Sequence, residues 1–124
     1  MKKKTSALMT LALFLFGIQN ANAHAQVTSS VPAKNQTVKD LPSLVWIEFD
    51  GDLLSFGDKQ INRLTITNAK KVRVDVGGPI VGGARISTRL KAGIPSGKYL
   101  VSYRVVSGDG HPVAGSFSFT YKPK

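Results

Sequence analysis

The segment that constrains the fold most is Gly97–Val106, where apolar residues recur at every second position. Tyr99, Val101, Tyr103 and Val105 alternate with mostly polar residues, which is the pattern of a β-strand with one buried face. The spacing of three to four residues that is typical of an amphipathic helix is absent from this segment. The chain is therefore predicted to be built around a long, half-buried strand.

Six further segments are predicted to be strands, and no amphipathic helix is apparent outside the N-terminal segment. The six are 27–30, 44–49, 61–67, 72–76, 84–90 and 113–121. The polar segment 34–42 is interpreted as a loop, and the glycine pairs at 77–78 and 82–83 as turns or bulges. The approach from Pro95 to Tyr99 is typical of the tyrosine corner of a Greek-key sandwich. The predicted fold class is all-β, a seven-stranded immunoglobulin-like Greek-key β-sandwich or barrel.

The N-terminal segment is predicted to be a cleaved signal peptide and not part of this fold. Three lysines at 2–4 precede an apolar run at 7–18, which is shorter than the roughly 20 residues that cross a bilayer. Residues 21–23, Ala-Asn-Ala, then have the small-x-small pattern of a signal-peptidase site. The predicted domains are the signal peptide, 1–23, and one exported domain, 24–124, which does not span the membrane after cleavage.

The chain is strongly basic and has no cysteine, so a disulfide is excluded. Loss of the three signal lysines would leave 14 basic residues against 7 acidic ones, a net charge of +7. Nucleic-acid binding is disfavoured, because the chain is predicted to be exported and its basic residues are scattered. A solvated basic surface is the simplest interpretation, and a weak affinity for anionic lipid or an acidic partner stays open.

Asp109 and His111 lie in a glycine-rich segment between the last two predicted strands. A plain hairpin loop is one interpretation, since Asp-Gly is a common turn pair. Pro112, however, disfavours the helical conformation for His111, and residues two apart in an extended segment project to the same side. Asp109 and His111 are therefore expected to direct one oxygen and one nitrogen at a single point.

His24, the other of the two histidines, would become the first residue if cleavage follows Ala23. An N-terminal histidine offers its α-amine and ring Nδ1 to one metal ion in a six-membered chelate ring. Asp109 and His111 would complete a set of three nitrogens and one oxygen, which suits Cu(II) if it is planar. The free pKa of an α-amine is about 7.7–8.0, so copper affinity should fall with acidity. Alternatively, the peptidase simply tolerates His24, or it cleaves before Gln26.

Both ends of the predicted exported domain resemble the CopC/PcoC family of periplasmic copper-binding proteins. The resemblance rests on His24-Ala25-x-Val27-x-Ser29-Ser30-x-Pro32-Ala33, on Leu41-Pro42-x-x-Val45-x-Ile47-x-Phe49 and, most closely, on the segment 97–119 that contains Ser107-Gly108-Asp109-Gly110-His111-Pro112. The resemblance is weak from about residue 50 to residue 90. It implies a seven-stranded Greek-key β-barrel or sandwich that binds Cu2+ through His24, Asp109 and His111. It further implies copper homeostasis and resistance in the periplasm, with an inner-membrane copper transporter of the CopD type as a candidate partner.

Three features set the chain apart within that family. Tyr103 stands where the family usually has tryptophan, which is expected to be a tolerated core change. Residues 50–52, Asp-Gly-Asp, stand near the position of a family glutamate, so a further acidic contact to copper is left open. Met1 and Met9, the two methionines, both lie in the predicted signal peptide. The exported domain therefore has no thioether or thiol for a soft Cu(I) site.

The predicted function is that of a non-enzymatic carrier or buffer of Cu(II), with one Cu2+ per chain. One alternative is a copper-dependent oxidase with a histidine brace, which needs an open position for oxygen that Asp109 would occupy. The other is an immunoglobulin-like interaction module without metal.

Overall fold

Residues 25–124 are described here from a computed structural model of the chain, and they form eight strands. In chain order these are β1 (Val27–Val31), β2 (Thr37–Val38), β3 (Leu44–Phe49), β4 (Arg63–Thr67), β5 (Asp75–Gly82), β6 (Arg85–Leu90), β7 (Gly97–Val106) and β8 (Pro112–Tyr121). Within this range no helix is long and apolar enough to cross a bilayer.

The strands form two four-stranded sheets, which pack face to face. One sheet has the order β1-β3-β6-β5 and the other has the order β2-β8-β7-β4. Every pairing is antiparallel except that of β2 with β8. The prediction of an all-β sandwich is confirmed.

The core lies between the two sheets, and β3 shows how the sequence fills it. Val45, Ile47 and Phe49 are buried, whereas Trp46 and Glu48 are half-buried on the outer face. This is the alternation that the sequence predicted. On the outer face, the Arg85 guanidinium lies 3.9 Å from the centroid of the Trp46 ring and donates to Glu48 Oε2 at 2.6 Å.

The tyrosine corner is present before β7. The Tyr99 hydroxyl donates a hydrogen bond to the Pro95 carbonyl oxygen, and its ring stacks on Phe119 with centroids 5.5 Å apart. Burial of Tyr99, together with the nearby Tyr121, raises the pKa of its hydroxyl. The corner fixes the start of β7, the strand that leads to the candidate site.

The strand count differs from the sequence prediction because of β2. The predicted loop 34–42 contains this two-residue strand, which pairs parallel with Thr120 and Tyr121 of β8. A strand this short has no periodicity to detect. Residues 25–124 therefore form eight strands and not the predicted seven.

The bounds of β5 also differ from the prediction of 72–76. The strand begins at Asp75 and continues through Gly77 and Gly78 to Gly82, with a register irregularity between Val76 and Ile80. The first glycine pair therefore forms a bulge inside a strand. Of the three alternating valines at 72, 74 and 76, only the middle one is buried.

The buried carboxylate of Asp75 joins the start of β5 to β4 of the other sheet. Asp75 accepts hydrogen bonds from the Ile66 amide at 2.8 Å and from Arg73 Nη2 at 2.6 Å. Burial alone would raise the pKa of Asp75, but the hydrogen bonds from Arg73 and Ile66, with the charge of Arg73, hold it below its usual 3.8. The positive charge of Arg73 is therefore balanced by the carboxylate of Asp75.

Candidate metal site

The candidate site lies at the end of the sandwich where β1 begins, β3 ends and β7 turns into β8. Val27 pairs with Phe49 across the first two of these strands. The Phe49 ring meets the Tyr103 ring of the opposite sheet edge to face, with centroids 5.6 Å apart. Tyr103 is half-buried and packs against the core.

The start of the described chain is fixed to the end of β3. The Gln26 amide donates to Asp50 Oδ1 at 2.8 Å, and the Asp50 amide donates to the Gln26 carbonyl oxygen at 2.9 Å. Ala25 is buried in the core. The backbone two residues beyond His24 is therefore held at this end of the sandwich.

The segment after β3 also contacts the β7–β8 loop. Leu53 forms an antiparallel bridge with Ser107, and the Leu54 amide donates to the Val106 carbonyl oxygen at 2.9 Å. The Asp52 carbonyl oxygen would lie 3.2 Å from a Cβ placed on Gly108, so the two backbones are in close approach. One segment thus contacts both the chain start and the loop, and it places them at the same end.

A buried asparagine holds this arrangement together. Asn62, 1% exposed, donates from Nδ2 to the Leu54 carbonyl oxygen at 2.7 Å and accepts from the Val106 amide at 2.9 Å. Its side chain therefore hydrogen-bonds to backbone groups of both segments. These groups would be costly to bury without a partner.

The β7–β8 loop is a closed turn. The Gly110 amide donates to the Ser107 carbonyl oxygen at 2.8 Å, and the Ser107 amide donates to the His111 carbonyl oxygen at 2.9 Å. Gly110 has a φ of 88°, a left-handed conformation that glycine adopts without steric cost. The loop therefore has a defined conformation with His111 at its end.

The loop brings the two predicted donors together. Asp109 Oδ2 lies 3.0 Å from His111 Nδ1, and the His111 amide donates to Asp109 Oδ1 at 3.1 Å. The convergence of this oxygen and nitrogen is as predicted, but its cause is different. The turn at Gly110 brings the two side chains together, whereas the prediction relied on an extended segment.

The carboxylate of Asp109 is held in its ionised form. A hydrogen bond from the Ser107 hydroxyl, then the His111 amide and the His111 ring, lower its pKa from 3.8 to about 2. Because the pKa is depressed, Asp109 stays charged until the pH falls to about that value. It therefore offers a negative oxygen to a cation across the neutral and mildly acidic range.

Ser107 is expected to position this carboxylate, and Ser107→Ala should raise the pKa of Asp109 from about 2 towards 3.8. Cu(II) affinity should fall by about tenfold, the usual scale for groups that orient a metal ligand. The pKa is measured by an NMR titration of the carboxyl group, and Ser116→Ala on the exposed face of β8 is the control. An unchanged pKa in Ser107→Ala would contradict this role.

The third predicted ligand, His24, lies outside the described residues, as does the predicted signal peptide. Within residues 25–124, no group of three or more histidine, cysteine, aspartate or glutamate side chains is placed to hold a metal ion. Asp50 accepts a hydrogen bond from the Gln26 amide. Neither Asp50 nor Asp52 belongs to such a group. The described part of the chain therefore brings two potential donors together, Asp109 and His111.

The fold and this loop can now be compared with known proteins. The CopC domain is the family description that matches this sequence, over residues 27–122. This chain belongs to the CopC family. The match covers every strand of the sandwich and the loop with Asp109 and His111. The family assignment agrees with the resemblance seen in the sequence and confirms the prediction that the chain is not an enzyme.

Two relatives differ in how much of their length the chain covers. Copper resistance protein C of Escherichia coli is 29% identical over 124 residues, which cover 94% of this chain and 95% of that protein. The copper transport protein CutJ of Bacillus subtilis is 27% identical over 123 residues, 97% of this chain. The chain spans only 22% of the length of CutJ.

The fold is also that of a solved member of the family. The crystal structure of CopC from Methylosinus trichosporium OB3b superposes with a TM-score of 0.70 at 25% sequence identity. The superposition covers 81% of this chain and 95% of that one.

Proposed function

We propose that this CopC-family chain is an exported protein that binds Cu(II) and carries or buffers it in the periplasm, in copper homeostasis and resistance. The observation that carries the proposal is the contact of 3.0 Å between Asp109 Oδ2 and His111 Nδ1 in a closed turn. Its similarity to copper resistance protein C along nearly the whole chain supports the same function.

The proposed site consists of His24, Asp109 and His111 and takes one Cu2+ per chain. We propose that residues 1–23 are removed, so that His24 supplies its amine and its ring. Gln26 is held at the end of β3, and two residues of extended chain reach about 7 Å. We therefore propose that His24 joins Asp109 and His111 at this end of the sandwich.

The spacing of the two described donors suits adjacent corners of a planar site. Ligand nitrogens and oxygens lie about 2.0–2.1 Å from a first-row divalent ion such as zinc, so adjacent donors of a square set lie about 2.9 Å apart. The distance between Asp109 Oδ2 and His111 Nδ1 is 3.0 Å. An ion bound by both atoms would take the place of the contact that they now make with each other.

The proposed site is expected to hold Cu(II) and to release copper on reduction, because the exported domain has neither methionine nor cysteine. A titration followed by optical absorption should saturate at one Cu(II) per chain. Addition of a reductant together with a competing Cu(I) chelator should then transfer the copper to the chelator. Failure to bind Cu(II) would contradict the proposed function, and retention of Cu(I) against a modest chelator would contradict the ligand set.

The proposed partner is an inner-membrane copper transporter of the CopD type. The region similar to this chain is part of a much longer polypeptide in the copper transport protein CutJ. For this chain, a separate transporter would take the role that the remaining part of the CutJ polypeptide has for its own similar region.

A further inference from the structure

The end of the sandwich opposite the candidate metal site carries a cluster of lysines, here called the basic pole. It lies where β7 begins and where β4, β6 and β8 end, and it comprises Lys39, Lys70, Lys71, Lys91, Lys98, Lys122 and Lys124. Two acidic residues lie near it, Asp40 and Asp75, and Asp75 is already paired with Arg73. By contrast, four of the other five acidic residues, Glu48, Asp50, Asp52 and Asp109, lie at the metal-site end. The net positive charge is therefore concentrated at one end of the domain.

A rigid turn between β4 and β5 presents two of these lysines. Asn68 Oδ1 accepts the amides of Lys70 at 2.9 Å and Val72 at 3.0 Å, and the Asn68 amide donates to the Val72 carbonyl oxygen at 2.9 Å. Lys71 occupies this turn with a φ of 62°, a conformation that favours glycine or asparagine over lysine. The sequence thus has a lysine at a position where the backbone conformation favours glycine or asparagine.

Shallow grooves separate this turn from the start of β7. One, of about 270 Å³, is lined by Lys70 and Lys98, and the other, of about 240 Å³, is lined by Lys71, Lys98 and Ser118. Among residues 25–124, no ion pair is recorded for these three lysines. Their ammonium groups therefore remain available to an anion of phosphate size.

Apolar side chains are exposed beside the lysines. Val72, next to Lys71 at the edge of the turn, is 54% exposed, and Leu100, which lines the second groove, is 41% exposed. Cationic groups around exposed apolar ones are typical of a surface that lies in the headgroup region of a bilayer. The two apolar groups beside the cations favour a lipid surface as the occupant, and an acidic protein is the alternative that the test below separates from it.

We propose that the basic pole docks on the anionic phospholipid surface of a membrane. The lysines contact phosphate groups, and Val72 and Leu100 reach into the headgroup layer. Because the metal site is at the opposite end of the sandwich, a docked domain directs Asp109 and His111 away from the lipid. This inference rests on charge and exposure and is independent of copper binding.

The test is co-sedimentation of the exported domain with vesicles of phosphatidylglycerol mixed with phosphatidylcholine. Binding is expected at low salt and should disappear at high salt, because exposed charges are screened. The triple variant Lys70→Gln, Lys71→Asn, Lys98→Gln should bind about a hundredfold more weakly, since each lysine near such a surface contributes about fivefold. Val72→Ser should weaken binding severalfold at unchanged charge.

The control is Lys59→Gln, Arg63→Gln, Arg104→Gln, which removes the same charge from exposed residues away from the basic pole. It should lose much less affinity than the first triple variant. Equal losses in both variants would show that net charge, and not this surface, causes binding. That result would overturn the proposal, as would absence of vesicle binding even if the domain captured an acidic protein. Circular dichroism checks that each variant is folded.

Discussion

Replacing His111 with alanine is expected to lower the affinity for Cu(II) by a hundredfold or more and to leave the fold intact. Ligand removal should cost at least the roughly hundredfold that is the upper range for groups that only orient a ligand. The His111 side chain is 62% exposed, so its loss opens no cavity in the core. Affinity is measured by competition with a Cu(II) chelator, and the fold by circular dichroism and thermal unfolding.

Asp109→Asn is the graded comparison for this experiment. It removes the charge of the carboxylate but keeps an oxygen, so its effect should be smaller than that of His111→Ala. Lys122→Gln, a change at the other end of the sandwich, should leave copper affinity unchanged. If His111→Ala bound Cu(II) as tightly as the parent protein, the proposed ligand set would be wrong.

The second large effect is expected at the chain start. One additional residue before His24 should lower Cu(II) affinity by orders of magnitude, because the amine and ring of His24 no longer close a six-membered chelate ring on one ion. Acetylation of the His24 amine should act in the same way, since it removes the donor nitrogen. Both forms keep Asp109 and His111, which contact each other within the β7–β8 turn.

The matched control for the added residue is an extension at the other terminus, after Lys124. It changes the length by the same amount at the end of the chain away from the site, and it should leave copper affinity as it was. An N-terminally extended chain that bound Cu(II) undiminished would show that the α-amine is not a ligand.

The sequence predicted most of the fold because its long strands have a clear periodicity. In β3 and β7 the apolar residues alternate, and the tyrosine corner has the spacing of residues 95–99. The pairing of β2 with β8 could not be predicted, since two residues carry no pattern and the partner is distant in sequence. The start of β5 was also missed, because an alternating segment was taken as buried although Val72 lies exposed in a turn.

The proximity of Asp109 and His111 was predictable from the sequence, but the contacts that support them were not. Asp109 and His111 could be identified from residue type and position, whereas the turn that joins them depends on the conformation of Gly110. Ser107 is the first residue of the motif and could have been considered as a partner of the carboxylate. Asn62 gave no signal, because its role is to bond backbone groups of segments far apart in the sequence.

The most direct test of the account is the intact mass of the exported protein, measured under non-denaturing conditions with and without Cu(II). We predict a chain that begins at His24 and gains the mass of one copper ion. This result would fix the mature N-terminus and the stoichiometry in one measurement. A chain that begins at Gln26, or one that begins at His24 and gains no copper, would contradict the proposed site.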